Sequence, residues 1–130
     1  MQEVITKEKK AVSFRQKEIV SDYIQNLDNY VAALKQGTED RVLEIAEFAD
    51  MMHIHPVHLS NTVKEVTGRS SCSLFEERLV KVSKEMLLES RAPIKNIAVQ
   101  LTYDPSNFTK FFKHFVGMTP KQFREENYKI

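Results

Sequence analysis

Glycine and proline are scarce in this 130-residue chain, at three and four residues, and tryptophan is absent. So few turn formers argue against a sheet protein with many tight reversals, and abundant Leu, Lys, Glu, Gln and Ala favour helices. The one cysteine, Cys72, cannot form an internal disulfide and suits a reducing cytoplasm, the expected location. No apolar run approaches the roughly 20 residues that span a bilayer, so no membrane partner is expected. Residues 1–10 are charged and lack the apolar centre of a secretion signal. An excess of either charge is missing too, with 19 Lys and Arg against 18 Asp and Glu. What the chain does have is 42 % hydrophobic residues, enough for a core. Its length fits one compact domain, or two small subdomains sharing an interface.

Charge distribution carries more than the total. Between Pro105 and Arg124 stand four basic residues, Lys110, Lys113, Lys121 and Arg124, and no acidic one. Acidic residues collect instead in 39–50 and 76–89. A local basic face on a near-neutral chain is compatible with phosphate contact.

The chain repeats itself at an offset of 49 residues. Ile45 matches Ile94, Ala49 matches Ala98, and Met52 matches Leu101. Pro56 pairs with Pro105, Leu59 with Phe108, Val63 with Phe112, Lys64 with Lys113 and Gly68 with Gly117. The register holds over 24 residues without a gap, and Leu74 standing 49 before Phe123 extends it.

Each copy has the layout of a helix-turn-helix. A short amphipathic helix, 44–52 or 94–101, carries a small residue, Ala49 or Ala98, where a second helix packs closely. A tight connection follows, His53-Ile54-His55 or Thr102-Tyr103-Asp104. Proline opens the next helix, where its missing N–H costs nothing. Asp104 is a good N-cap, whereas His55 is a poor one. The second helices, 56–67 and 105–116, end at Gly68 and Gly117, which suit a left-handed position. Their predicted buried faces are Leu59, Val63 and Val66, and Phe108, Phe111, Phe112 and Phe115.

Between the copies, 73–90 reads as one amphipathic helix that starts on a Ser73–Glu76 capping box and ends before Pro93. A rigid helix there fixes the distance and rotation between the motifs. A last short helix, 121–128, turns Phe123 inward. Residues 14–36 form another helical pattern, with Val20, Tyr23, Leu27, Tyr30 and Leu34 at about 3.5-residue spacing and Gly37 at its end. That helix either packs on the first motif or supplies a coiled-coil seam, making the chain a monomer or a weak dimer. Residues 1–12 are expected to be a solvated tail. The expected fold is therefore all-α: an N-terminal tail and helix (1–37), a first helix-turn-helix unit (38–72), a linker helix (73–91) and a second unit (92–130).

Other chemistry finds little support. His53, His55 and His58, with Cys72 and His114, invite a zinc reading. The three histidines do not converge on the proposed helix start, and no CxxC or HExxH spacing exists, so no metal or other cofactor is expected. No acid pair sits with a nucleophile or a Gly-rich phosphate loop, so no catalytic residue is assigned and an enzyme is not expected. Cys72 reads as a buried structural thiol.

With the repeat, the linker helix and the ending in place, the chain resembles the DNA-binding domain of the AraC/XylS family of transcription regulators, over about residues 40–125. The likeness is strongest in Ile97-Ala98, in 104–113 (DPSNFTKFFK) and in 117–124 (GMTPKQFR); His55-Pro56-Val57-His58-Leu59-Ser60-Asn61 fits the start of the first recognition helix. The chain differs from the family in His53 and Thr102, where glycine is common, so both turns must be made by residues with a Cβ and an altered φ. It also has one residue fewer before its second recognition helix, and Leu79, with Arg78 beside it, where a linker arginine is expected.

In a helix-turn-helix the second helix enters the major groove and its N-terminal half reads base edges. The outward positions there are Val57, Ser60, Asn61 and Lys64 in copy one, and Ser106, Thr109, Lys110 and Lys113 in copy two. The resemblance places base contacts at Val57, Ser60, Asn61, Asn107, Thr109 and Lys110. Asn can bond adenine twice, Lys can reach guanine, and Val can touch a thymine methyl. Lys64, Lys113, Lys121 and Arg124 are better placed for phosphates. Two unlike recognition helices imply an asymmetric bipartite site on double-stranded DNA. The resemblance further implies activation of transcription through contact with RNA polymerase. Most members also carry a ligand-sensing domain, so this chain is expected to be a compact regulator or a piece of a longer one. The competing reading is a helical protein–protein interaction module that binds no DNA.

Overall fold

The computed structural model describes residues 11–127. Among them are seven helices and no strand: α1 (Phe14–Gln36), α2 (Ile45–Met52), α3 (Pro56–Thr67), α4 (Ser71–Glu89), α5 (Ile94–Gln100), α6 (Pro105–Val116) and α7 (Pro120–Asn127). None is long and apolar enough to cross a membrane. The expected tail lies mostly outside the described residues.

Helix α1 is closed at both ends by its own sequence. Ser13 Oγ accepts from the Gln16 N–H at 3.0 Å, while Gln16 Oε1 accepts from the Ser13 N–H at 2.9 Å. At the other end Gly37 sits at φ 78°, and the Thr38 N–H reaches back to the Ala33 carbonyl. Its apolar stripe, including Val20, Tyr23, Leu27, Tyr30 and Leu34, is buried against α2, α3 and α4. This corrects one of the two expectations for this helix: the stripe is covered within the chain and offers no seam for a coiled-coil dimer.

Polar contacts fix α1 further. Arg78 donates to Asp28 at 2.5 Å, and Lys35 bridges Glu85 and Glu89 of α4 at 3.0 and 3.1 Å. At the end of α5, Gln100 Nε2 donates to the Lys35 carbonyl at 2.7 Å and to that of Leu34 at 3.2 Å. Helix α1 therefore touches both copies.

Helix α4 starts two residues earlier than its predicted capping box. Ser70 is the N-cap, and its Oγ accepts from the Ser73 N–H at 3.0 Å. Nineteen residues make a rod of about 28 Å between the motifs. Leu79, where the resemblance implies an arginine, is fully buried in it beside Val82, Met86 and Leu87. Truncating such a side chain costs about 2–5 kcal/mol. The buried residues of both copies, α1 and α4 form one continuous core.

Candidate nucleic-acid interface

The duplication persists at the level of single hydrogen bonds. His53 and Thr102 are the non-glycine residues with positive φ among those described, at 59° and 69°. At each of these turns the next N–H reaches back to the carbonyl of the alanine shared by the two copies: Ile54 to Ala49 at 3.0 Å, Tyr103 to Ala98 at 2.8 Å. The alanine therefore serves twice, through a side chain small enough to be fully buried and through a carbonyl that closes the helix. The anticipated turns without glycine are thus made in the left-handed region.

The recognition helices α3 and α6 begin and end alike. His55 Nδ1 accepts from the Val57 N–H at 3.1 Å, and Asp104 Oδ2 accepts from the Ser106 N–H at 3.1 Å. His55 is thus a working N-cap, contrary to the expectation of a poor one, because its ring nitrogen falls where a carboxylate oxygen stands in copy two. Gly68 and Gly117, at φ 78° and 90°, close the two helices. The next helices start alike too, with Ser70 Oγ accepting from Ser73 and Thr119 Oγ1 from Gln122.

The inward faces are Leu59, Thr62 and Val63 in α3, and Phe108 and Phe112 in α6. Val66 and Phe111 are half-buried. Phe115, expected inside, is 47 % exposed and meets Phe111 at a tilt and His114 edge-on at the surface. Rotation does not account for this, since Phe115 stands seven residues, about two turns, after Phe108 and so on the same side of α6; it lies in the last turn before Gly117, where the buried stripe ends.

The outward faces carry the expected polar set. Val57 is 59 % exposed, and Asn61 and Lys64 follow it along α3. On α6, Ser106, Asn107, Lys110 and Lys113 are exposed. Ser60 and Thr109 are half-buried at the flank of each face. Two hydroxyl protons are already engaged: Ser106 donates to Asp104 at 2.6 Å, and Thr109 donates to the Pro105 carbonyl at 3.2 Å. Their oxygens are therefore presented as acceptors. The Ser106 hydroxyl and the Asn107 and Ser106 N–H groups hold the Asp104 carboxyl below its ordinary pKa.

His58 was not among the base-reading candidates. It is exposed on α3 and stands 49 residues before Asn107, so the repeat itself was the signal. Lys121, like Lys64 and Lys113, is exposed and makes no ion pair with another described residue. Arg124 departs from the phosphate role expected of it. Its guanidinium donates to the carbonyls of Leu87 at 2.9 Å, Ala92 at 2.8 Å and Ser90 at 3.2 Å. It thereby clamps α7 onto the C-terminal end of α4, where orphan carbonyls favour a cation.

Two of the histidines serve the first turn. His53 occupies the left-handed cap, His55 caps α3, and no group of three His, Cys, Asp or Glu side chains able to hold a metal occurs among the described residues. Cys72 is exposed, correcting the buried-thiol reading. Partial desolvation and neighbouring Glu76 raise its pKa, so it is not an activated thiolate.

Residues 48–126, more than half of the chain, match the profile of a helix-turn-helix domain family. The chain belongs to the AraC-type helix-turn-helix family. Among its relatives is YobQ, an HTH-type transcriptional regulator of Bacillus subtilis, 29 % identical over 87 residues that make up 66 % of this chain and 36 % of YobQ. The arabinose operon regulatory protein of Escherichia coli is 27 % identical over 103 residues, 75 % of this chain and 35 % of that protein. This chain thus spans little more than a third of these two relatives. Among solved structures, the C-terminal domain of AraT, a response regulator from Geobacillus stearothermophilus, superposes with a TM-score of 0.74 at 25 % identity, covering 93 % of this chain and 92 % of that one. The AraC-type assignment makes this chain a DNA-binding module of transcription regulators.

Proposed function

We propose that the chain reads an asymmetric, bipartite site on double-stranded DNA, with α3 and α6 in successive major-groove faces about one helical turn, roughly 34 Å, apart. Val57, Ser60 and Asn61 read one box, and Ser106, Asn107, Thr109 and Lys110 read the other. Lys64, Lys113 and Lys121 hold phosphates and set register. The single observation that carries this reading is the pair of helices capped at equivalent positions, each with an exposed, mostly polar outward face in its N-terminal half. The units 38–72 and 92–130 act together because α1 and α4 bind them into one core.

By likeness to the family, the bound chain activates transcription through contact with RNA polymerase, and it does so as a monomer. Selection from a randomised duplex pool at moderate salt tests the reading. Enrichment of two unlike boxes about one turn apart supports it. Enrichment of one box leaves one copy without a base-reading role, and no enrichment overturns duplex reading.

A further inference from the structure

Between the two copies lies a half-open cavity of about 400 Å³, within the range of small-molecule sites. Its floor is the buried aromatic core, where Tyr23 and Phe48 meet edge to face at 5.5 Å and Tyr30 stacks at 6.2 Å on Phe75, a half-buried ring of the wall. Tyr103, from the turn of copy two, closes the far side. Glu44 is the charged residue in the lining, and no lysine or arginine lines it. The basic groups nearest these tyrosines are already paired, Arg78 with Asp28 and Arg41 with Glu39. Glu76 stands close enough to Cys72 and Tyr103 to raise the pKa of both.

Aromatic faces attract cations, and a carboxylate at the wall favours them further. A cavity of this charge rejects anions. We infer that this cavity is a binding site for a small planar aromatic cation, held against the half-buried rings of Phe75 and Tyr103 with its charge toward Glu44. Thr102 and Tyr103 line the cavity and also form the turn that aims α6. An occupant therefore bears on the placement of the second recognition helix relative to the first, a consequence that rests on the duplex reading above.

The test uses three probes of one shape: N-methylquinolinium, neutral quinoline and anionic naphthalenesulfonate. Each is titrated into the chain without DNA while backbone amide resonances are followed. The expected result is saturable shifts centred on Ile45, Thr102 and Tyr103, strongest for the cation and absent for the anion. Glu44→Gln weakens the cation about fivefold and leaves quinoline within about twofold, as removal of one partly solvated ion pair requires. Val42→Trp places an indole at the exposed mouth and abolishes binding of both at an unchanged melting temperature. No saturable shift at these residues overturns the site, as does an anion bound as tightly as the cation. Equal loss of both probes in Glu44→Gln overturns the role of charge. Duplex affinity is then measured with and without saturating N-methylquinolinium: a change of threefold or more supports the coupling, and no change overturns it while the site stands. A chain that binds the probe but no duplex separates failure of the DNA reading from failure of the site.

Discussion

His53 and Thr102, 49 residues apart, hold the same left-handed backbone at φ 59° and 69°, and each passes the chain into a recognition helix through an equivalent bond to a buried alanine. An L-residue in that region costs about 1–2 kcal/mol, and a β-branched one is the less suited of the two. Thr102→Gly is therefore expected to stabilise the chain by about 0.5–1 kcal/mol, and His53→Gly by less, after the entropy of the added glycine is subtracted. Urea unfolding of the two variants checks both the sign and the order. Destabilisation by Thr102→Gly would show that the strain is offset by side-chain contacts.

Asp104 and His55 do one job with different chemistry, and acid probes the carboxylate cap. Asp104 has a folded pKa below its ordinary value of 3.8, chiefly through the Ser106 hydroxyl. Its contribution to stability is thus fully present above that ordinary value and is lost as pH falls through the folded one. Acid melting curves should show this loss, and Asp104→Asn should flatten that part of the profile while keeping the cap. An unchanged profile in Asp104→Asn would assign the acid sensitivity elsewhere.

Local pattern made much of the fold legible. The offset between Pro56 and Pro105, and between Gly68 and Gly117, marks both recognition helices to the residue, because Pro and Gly act within one turn of where they stand. The outward set on α3 and α6 followed from the same register. Contacts between distant segments were not legible. Gln100 on the carbonyls of Leu34 and Lys35, and Arg124 on those of Leu87, Ser90 and Ala92, pair residues that no local period relates. Arg124 was read as a phosphate ligand because charge and position in sequence do not reveal which cations are already occupied. Phe115 was placed inside because it continues the Phe108 and Phe112 stripe in period, and a period does not reveal where along the helix the covering neighbours end.

The different places of Arg124 and the lysines predict different salt behaviour. Each of Lys64, Lys113 and Lys121, if it binds phosphate, should lower the salt slope of DNA affinity by about 0.9 when changed to alanine. Arg124→Ala should leave the slope nearly unchanged and lower folding stability by about 1–3 kcal/mol, because buried and half-buried carbonyls lose a charged donor. Duplex titration over a salt series, with unfolding curves in parallel, distinguishes them. A slope reduced by Arg124→Ala at unchanged stability would restore its phosphate role.

Base reading by the two helices should be separable. Asn61→Ala and Lys110→Ala are expected to relax preference at one base pair each, in different boxes, at a cost of about 1–3 kcal/mol against the preferred site. His58→Ala should act in the same box as Asn61, since the repeat aligns His58 with Asn107. Selection with each variant reads the affected position. Loss of affinity spread evenly over all sequences would mark these residues as phosphate contacts instead.

The Gln100 contact bears on how strictly the two boxes must be spaced. One side-chain amide joins α5 of copy two to the end of α1, which is itself packed on copy one, so the relative placement of the recognition helices depends on it. Gln100→Ala removes that tie from a half-buried site and is expected to cost about 1 kcal/mol in stability. The larger effect should be on selectivity. The native chain should bind duplexes with one base pair inserted or deleted between the boxes much more weakly than the preferred spacing, and Gln100→Ala should narrow that gap severalfold while single-box affinity stays constant. The measurement is a ratio of affinities for three spacings, native against variant. An unchanged ratio would mean that α4 and the shared core alone hold the two copies in register.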